Sequence, residues 1–295
     1  MDELRGDQGV WRFTGDAVVL TYARKVLTPA LFTALGRAEV PLAAVASADL
    51  TPGRKRWELR LRLKDRTDPY TSVGADLAPR LHPFRLTGPA RDELVAEYHA
   101  EQITTAAALA GDPPADAATR LVARLPLHVR TGEGTASFDG TTVRLEWSGT
   151  ASAVKKSERR REYALADIAG VAWVPSSDSG QAHIRLTPHR EDDGPQPRPK
   201  HDLRCLRGSE AGAERARLLL LAATVTAHLW ADGGPHPALP PAPDPADAPA
   251  DPPGGAVPDV DWVYRQIERL ARLHADGILT DAEFTEKKAD LLGRI

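Results

Sequence analysis

Cysteine is almost missing from this chain: Cys205 is the only one in 295 residues. A lone thiol excludes an intrachain disulfide framework and a cysteine-cluster zinc site, and it fits a reducing, cytoplasmic setting. Aromatic residues are scarce at 5%, and the hydrophobic share rests on Ala, Leu and Val. Strong charge of either sign is also lacking. A net charge of -3 and a pI near 6.3 give no global pull toward nucleic acid or anionic membrane, so any such binding must be local. Residues 1–7 have neither the basic region nor the apolar core of a signal peptide. The most apolar stretch, Leu218 to Trp230, is interrupted by Thr224, Thr226 and His228 and falls short of the roughly 20 residues that cross a bilayer. It reads as a buried helix.

Catalytic signatures are missing too. No Gly-x-Ser-x-Gly, His-Glu-x-x-His, Walker or dinucleotide-type glycine loop occurs, and Thr131-Gly-Glu-Gly134 opens a strand where a phosphate cradle would lead into a helix. The chain therefore reads as a non-enzyme, with no catalytic residue, metal or cofactor expected.

What is present is enough for a core: 42% hydrophobic and 27% charged residues, over a length that suits about two domains. Those domains are copies of one unit. Gly9, Phe13, Gly15, Val18, Leu20 and Tyr22 recur at a constant offset as Gly134, Phe138, Gly140, Val143, Leu145 and Trp147. Further on, Leu42 and Val45 match Leu165 and Ile168, and Leu61-Arg-Leu63 matches Ile184-Arg-Leu186. Each copy runs through strands into one helix, closing at Leu109 and Leu229.

Alternation supports the strands. Trp57, Leu59, Leu61 and Leu63 fall on one face of a period-two ladder, with Glu58, Arg60, Arg62 and Lys64 on the other. Phe13-Thr-Gly-Asp16 and Phe138-Asp-Gly-Thr141 have the chemistry of tight hairpin turns. Start signals precede the closing helices at Thr87 to Glu93 and at Ser209-Glu210. Leu94, Val95 and Tyr98 then form a stripe expected to lie over a sheet opening. Lys25 to Arg37 reads as an insertion peculiar to the first copy.

From Asp232 to Asp259 proline and glycine dominate and Lys and Arg are absent, a composition that cannot form a core. Beyond it, Val263, Ile267, Leu270 and His274 keep a helical period, Gly277 suits a C-cap, and Thr280-Asp-Ala-Glu283 is a capping box opening a second helix through Phe284 and Leu291. The division is thus 1–112 and 127–231 for the two repeats, 113–126 for their connection, 232–258 for a linker and 259–295 for a helical hairpin.

The hairpin, from Trp262 through the Asp-Gly-Ile278 turn to Lys287-Lys288-Ala-Asp-Leu291-Leu292, closely resembles the short C-terminal domain SHOCT. The two repeats, through Gly140, Leu165, Ile168, Val171 and Trp173-Val-Pro175, resemble the tandem bacterial domain-of-unknown-function family DUF4429. That resemblance implies a mainly β fold with α: two pleckstrin-homology-like β-barrel or sandwich domains, each closed by a C-terminal helix. It also implies a non-enzymatic adaptor or scaffold, and it carries no catalytic residues across.

Two functional expectations follow. The leading one is a protein-interaction scaffold whose hairpin, through Trp262, Ile267, Leu270, Ile278, Phe284 and Leu291, self-associates or docks on a protein partner. The alternative is an anionic ligand, a lipid headgroup or nucleic acid, gripped by Lys155, Lys156, Arg159, Arg160 and Arg161 between two strands. Charge runs are more often solvated surface, and the same holds for Arg54, Lys55, Arg56, Arg60, Arg62 and Lys64. His183 and His189 lie too far apart along an extended strand, about 20 Å at 3.3 Å per residue, to suggest a metal site.

Overall fold

The computed structural model describes residues 3–24, 28–73, 77–175, 181–190, 196–209 and 212–233. The hairpin expected over 259–295 lies outside the described residues, as does the linker beyond Gly233.

The first repeat opens with a four-stranded antiparallel meander, β1 (Glu3–Arg5), β2 (Gly9–Phe13), β3 (Ala17–Tyr22) and β4 (Arg37–Pro41), with helix α1 (Ala30–Leu35) between the last two strands. A three-stranded antiparallel sheet follows: β5 (Val45–Thr51), β6 (Arg56–Leu63) and β7 (Arg85–Pro89), with helix α2 (Pro69–Val73) between β6 and β7. Helix α3 (Glu93–Leu109) closes the unit against β5 and β6. The second repeat has the same plan. Strands β8 (Leu127–Arg130), β9 (Gly134–Phe138), β10 (Thr142–Trp147) and β11 (Arg160–Ala164) form one sheet, with α4 (Ala153–Glu158) between β10 and β11. Strands β12 (Ile168–Val174), β13 (His183–Pro188) and β14 (Cys205–Arg207) form the other, and α5 (Gly212–Ala231) closes it.

The sequence identities have structural causes. Gly9 and Gly134 start their strands where the partner backbone comes closest: a Cβ would collide with the Thr21 and Glu146 carbonyl oxygens. Trp57, Leu59 and Leu61 are buried, as the alternation predicts, and Ala48 pairs with Leu61 as Val171 pairs with Leu186, so the strand pairing equates Leu61 with Leu186 and Leu59 with Ile184, two residues away from the sequence match. A register shift opens both three-stranded sheets, at Val45/Ser47 and at Ile168/Gly170. Both repeats lie within one compact unit, Met1–Pro237, and share one hydrophobic core.

Two readings need correction. The Lys25 to Arg37 stretch is no insertion in its described part, since α1 stands where α4 stands in the second repeat. Tyr22 donates its backbone N–H to Gly36 just as Trp147 donates to Arg159, at 3.0 and 2.9 Å. The apolar stripe on α3 also faces the other way. Leu94, Val95 and Tyr98 are exposed, Leu94 by 78%, and the face on the sheet is Ala96, His99, Ala100, Ile103 and Ala107. Small side chains let this helix approach β5 closely, so the larger residues are left outside.

Helix α5 takes the same pose with a different outcome. Pairing Leu109 with Leu229 also pairs that alanine-rich face with Ala216, Leu219, Leu220, Ala223 and Ala227, and the helix packs on β12 and β13. Every residue from Leu218 to Ala227 is buried, because α1, α2 and the turn at Ala117–Leu121 pack on this helix in addition to the sheet. The run read as a buried helix is buried between the repeats.

Candidate functional site

The basic segment of the second repeat splits once folded. Ser152 caps α4 by accepting the Lys155 N–H at 3.5 Å, and the helix turns Lys155 inward to 0% exposure. Its Nζ donates to Glu133 Oε2 at 3.1 Å and to the Pro199 and Cys205 carbonyl oxygens, both at 2.9 Å. Glu133 also accepts from the Arg207 backbone N–H at 2.7 Å and from Arg207 Nε at 2.8 Å. Burial pushes Lys155 below the ordinary lysine range, opposed by the Glu133 carboxylate. Lys155 is thus a clasp between the two sheets of its repeat, with its donors committed to protein oxygens, and it leaves the set expected to grip an anion.

The first repeat makes the same clasp without charge. Phe32 stands at the α1 position of Lys155 and stacks on Tyr22 with ring centroids 5.0 Å apart. Gln8, equivalent to Glu133, accepts the Thr87 backbone N–H at 2.8 Å. Tyr22 Oη donates to the Pro83 carbonyl at 2.9 Å, and Trp147 Nε1 donates to that of Cys205 at 3.4 Å.

The other four cations stay outside. Lys156 and Arg159 are exposed at the end of α4, and Arg160 and Arg161 open β11. Arg160 lies 3.7 Å from Glu162, which also binds Arg144 at 2.9 Å. The Arg161 guanidinium sits 5.8 Å from the Tyr163 ring centroid. Burial pushes the Tyr163 phenol up to about 12, and its hydroxyl donates to the Leu203 carbonyl at 2.9 Å. Arg159 has φ +64 and ψ −52, the γ-turn-like backbone that its counterpart Gly36 adopts at +67 and −54.

Half of the second basic group is engaged within its own repeat. Arg56 pairs with Asp7 and Arg62 with Asp49, while Lys64 Nζ donates to the Gly111 carbonyl at 2.8 Å. His183 and His189 project from one strand and its end, and among the described residues no three His, Cys, Asp or Glu side chains gather as a metal cage. Cys205 is buried, its thiol pushed up to about 12 chiefly by burial and then by Asp202. No helix of the described residues is long and apolar enough to cross a membrane.

Three surfaces had no separate signal in the sequence. A cleft of about 940 Å³ runs between β4 and the connection, with Arg24, Arg37, Arg120 and Arg124 in its walls; Arg37 and Arg120 are held by Glu39 and Asp116. The second is the seat on the second repeat, where Leu31 of α1 meets Trp173, Ala216 and Leu219 around a crevice of about 350 Å³. The third is a groove on the first repeat, about 490 Å³, between β5 (Ala48, Leu50) and α3 (Glu93, Glu97, Ala100, Glu101).

This arrangement defines a tandem-repeat protein in which each copy is a pair of antiparallel sheets closed by one helix. Residues 11–104 and 136–226 each match the model of the Domain of unknown function (DUF4429), and residues 265–292 match that of the Short C-terminal domain (SHOCT). The two stretches cover more than half of the chain, which belongs to the DUF4429 family and carries a SHOCT domain after its repeats. No curated protein matches it.

Proposed function

We propose that this chain is a non-enzymatic cytoplasmic scaffold. Two pleckstrin-homology-like units form its body, and a proline-rich arm links them to a C-terminal hairpin that self-associates or docks on a partner protein. The joint between the repeats carries this reading: the closing helix of one repeat is already a protein-docking surface, with α1 and α2 of the other repeat seated on it. The order of four strands, three strands and a closing helix supports the pleckstrin-homology-like reading. Sites on such a shape must be argued surface by surface, since the shape alone names no ligand. An extended proline-rich arm spans about 3.1 Å per residue, which gives the hairpin reach. At roughly 35 residues the hairpin is too small to be self-sufficient, which favours Trp262, Ile267, Leu270, Ile278, Phe284 and Leu291 as contact residues.

The test compares the full chain with one ending at Pro258. Loss of oligomeric mass or of captured partners, with the melting of the repeats unchanged, is the expected result. An unchanged mass and an unchanged partner set would refute the role given to the tail.

A further inference from the structure

The joint between the repeats does not close completely. Where α1 meets α5 a crevice of about 350 Å³ remains, a size that suits a small molecule. The first repeat supplies Leu31, Leu77 and Leu81 to its walls, and the second supplies Trp173, Ala216 and Leu219. Leu31, Trp173 and Leu219 are 2%, 6% and 2% exposed, so the inner walls are core side chains held by their own packing.

The polar side chains of this crevice are all donors. Trp173 Nε1 is buried with no hydrogen-bond partner among the described residues, a donor left unsatisfied in an apolar setting. Arg80, in the turn Pro79–Leu81, and Arg215, on α5, also line the crevice, and neither has an ion-pair partner among the described residues. Gly212 and Arg215 bring the first turn of α5 to the same place, the end of a 20-residue helix whose dipole favours an anion. Glu214 of that turn accepts the Ser209 N–H at 2.7 Å and is not part of the lining, and no other described carboxylate lines the crevice. Apolar walls, two unpaired cations and an orphaned donor thus converge on one cavity, and what they lack is an acceptor.

We propose that this crevice binds a small organic anion, an apolar chain or ring that carries one carboxylate or phosphate. The apolar body lies against Leu31, Trp173 and Leu219, and the anionic group takes Arg80 and Arg215 as its partners. An oxygen of the ligand gives the Trp173 N–H the acceptor it lacks. Because the two arginines come from different repeats, an occupant ties the repeats together and stabilises their joint by mass action. The site is independent of the C-terminal hairpin and of the exposed cations Lys156, Arg159, Arg160 and Arg161.

Titration calorimetry on the full-length protein tests it with two anions and two controls. Octanoate and octyl phosphate carry both features, 1-octanol lacks the charge, and inorganic phosphate lacks the apolar body. At least one octyl anion is expected to bind about tenfold to a hundredfold more tightly than either control, and the tighter of the two names the head group. Arg80→Gln/Arg215→Gln should bring the octyl anions down to the level of octanol. The melting of the free variant should match the parent, because neither guanidinium has a partner to lose. Ala216→Met, which fills the crevice, should weaken all three octyl compounds. In protein labelled with 5-fluorotryptophan, the fluorine signal lost on Trp173→Phe should be the one of six that the tighter anion shifts. Octanol binding as tightly as both anions overturns the proposal, and so does the absence of binding by either anion at millimolar concentration. Tight binding that the arginine variant leaves unchanged, or that shifts only other tryptophans, overturns it as well.

Discussion

Replacing Glu133 by Gln tests the clasp of the second repeat directly. The substitution keeps the shape of the side chain but removes the carboxylate facing Lys155, which has no exposed surface. Two carbonyl oxygens remain near the ammonium, at 2.9 Å each, and neither carries a full negative charge. Arg207, mostly buried at 16% exposure, loses the same counter-charge. Removing one partner of a buried ion pair costs about 3–5 kcal/mol, because the other charge stays buried and uncompensated. Retained hydrogen bonding by Gln puts this case near about 3 kcal/mol, or a fall of roughly 6–12 °C in Tm for a unit of this size. The first repeat suggests the repair, since Phe32 and Gln8 fill the same two positions there. Combining Glu133→Gln with Lys155→Phe removes the orphaned ammonium and should recover most of the loss, as apolar replacements of buried pairs often do. Thermal and denaturant melts of the parent, the single variant and the double variant give the comparison. A single variant as stable as the parent, or a double variant less stable than the single, would refute the argument.

Arg159→Gly should stabilise the protein by about 1 kcal/mol, because a positive φ with negative ψ, here +64 and −52, costs a non-glycine residue on the order of 1–3 kcal/mol against a glycine entropy cost of about 0.5–1. Gly36→Ala should destabilise by a similar amount for the same reason, and denaturant midpoints of the two variants measure both. Cys205 should be inert to an aromatic disulfide reagent at neutral pH, its thiol being buried and pushed up to about 12, and should react fully in denaturant. Rapid modification of the native protein would show that the interior around β14 opens.

The repeat was legible in the sequence because its identities sit where the backbone admits few substitutes. Gly9 and Gly134 tolerate no Cβ, and Gly15 and Gly140 hold positive φ in the hairpin turns, at +94 and +108. The β6 ladder was legible because one face is core and the other wet. The faces of α3 were not, since size and apolarity pointed to Leu94, Val95 and Tyr98 while close approach to β5 selected the alanines. Lys155 was hidden by its neighbours: inside a charge run it looks solvated, and only alignment of α4 with α1 places it opposite Phe32. The joint between repeats left one trace, a run of ten buried residues from Leu218 to Ala227 too apolar for a helix covered on one side. Its filler, α1, lay in the stretch that read as an insertion.

The burial of α5 also bears on the order in which the protein is made. A ribosome delivers α1 and α2 long before α5, and domains generally fold from the N-terminal end as they emerge. The surface that will cover α5 therefore exists when Leu218 to Ala227 leave the exit tunnel, and that apolar run meets its lid at once. With the two copies in the opposite order, the same helix would emerge bare and stay open to other nascent chains while its cover was still being synthesised.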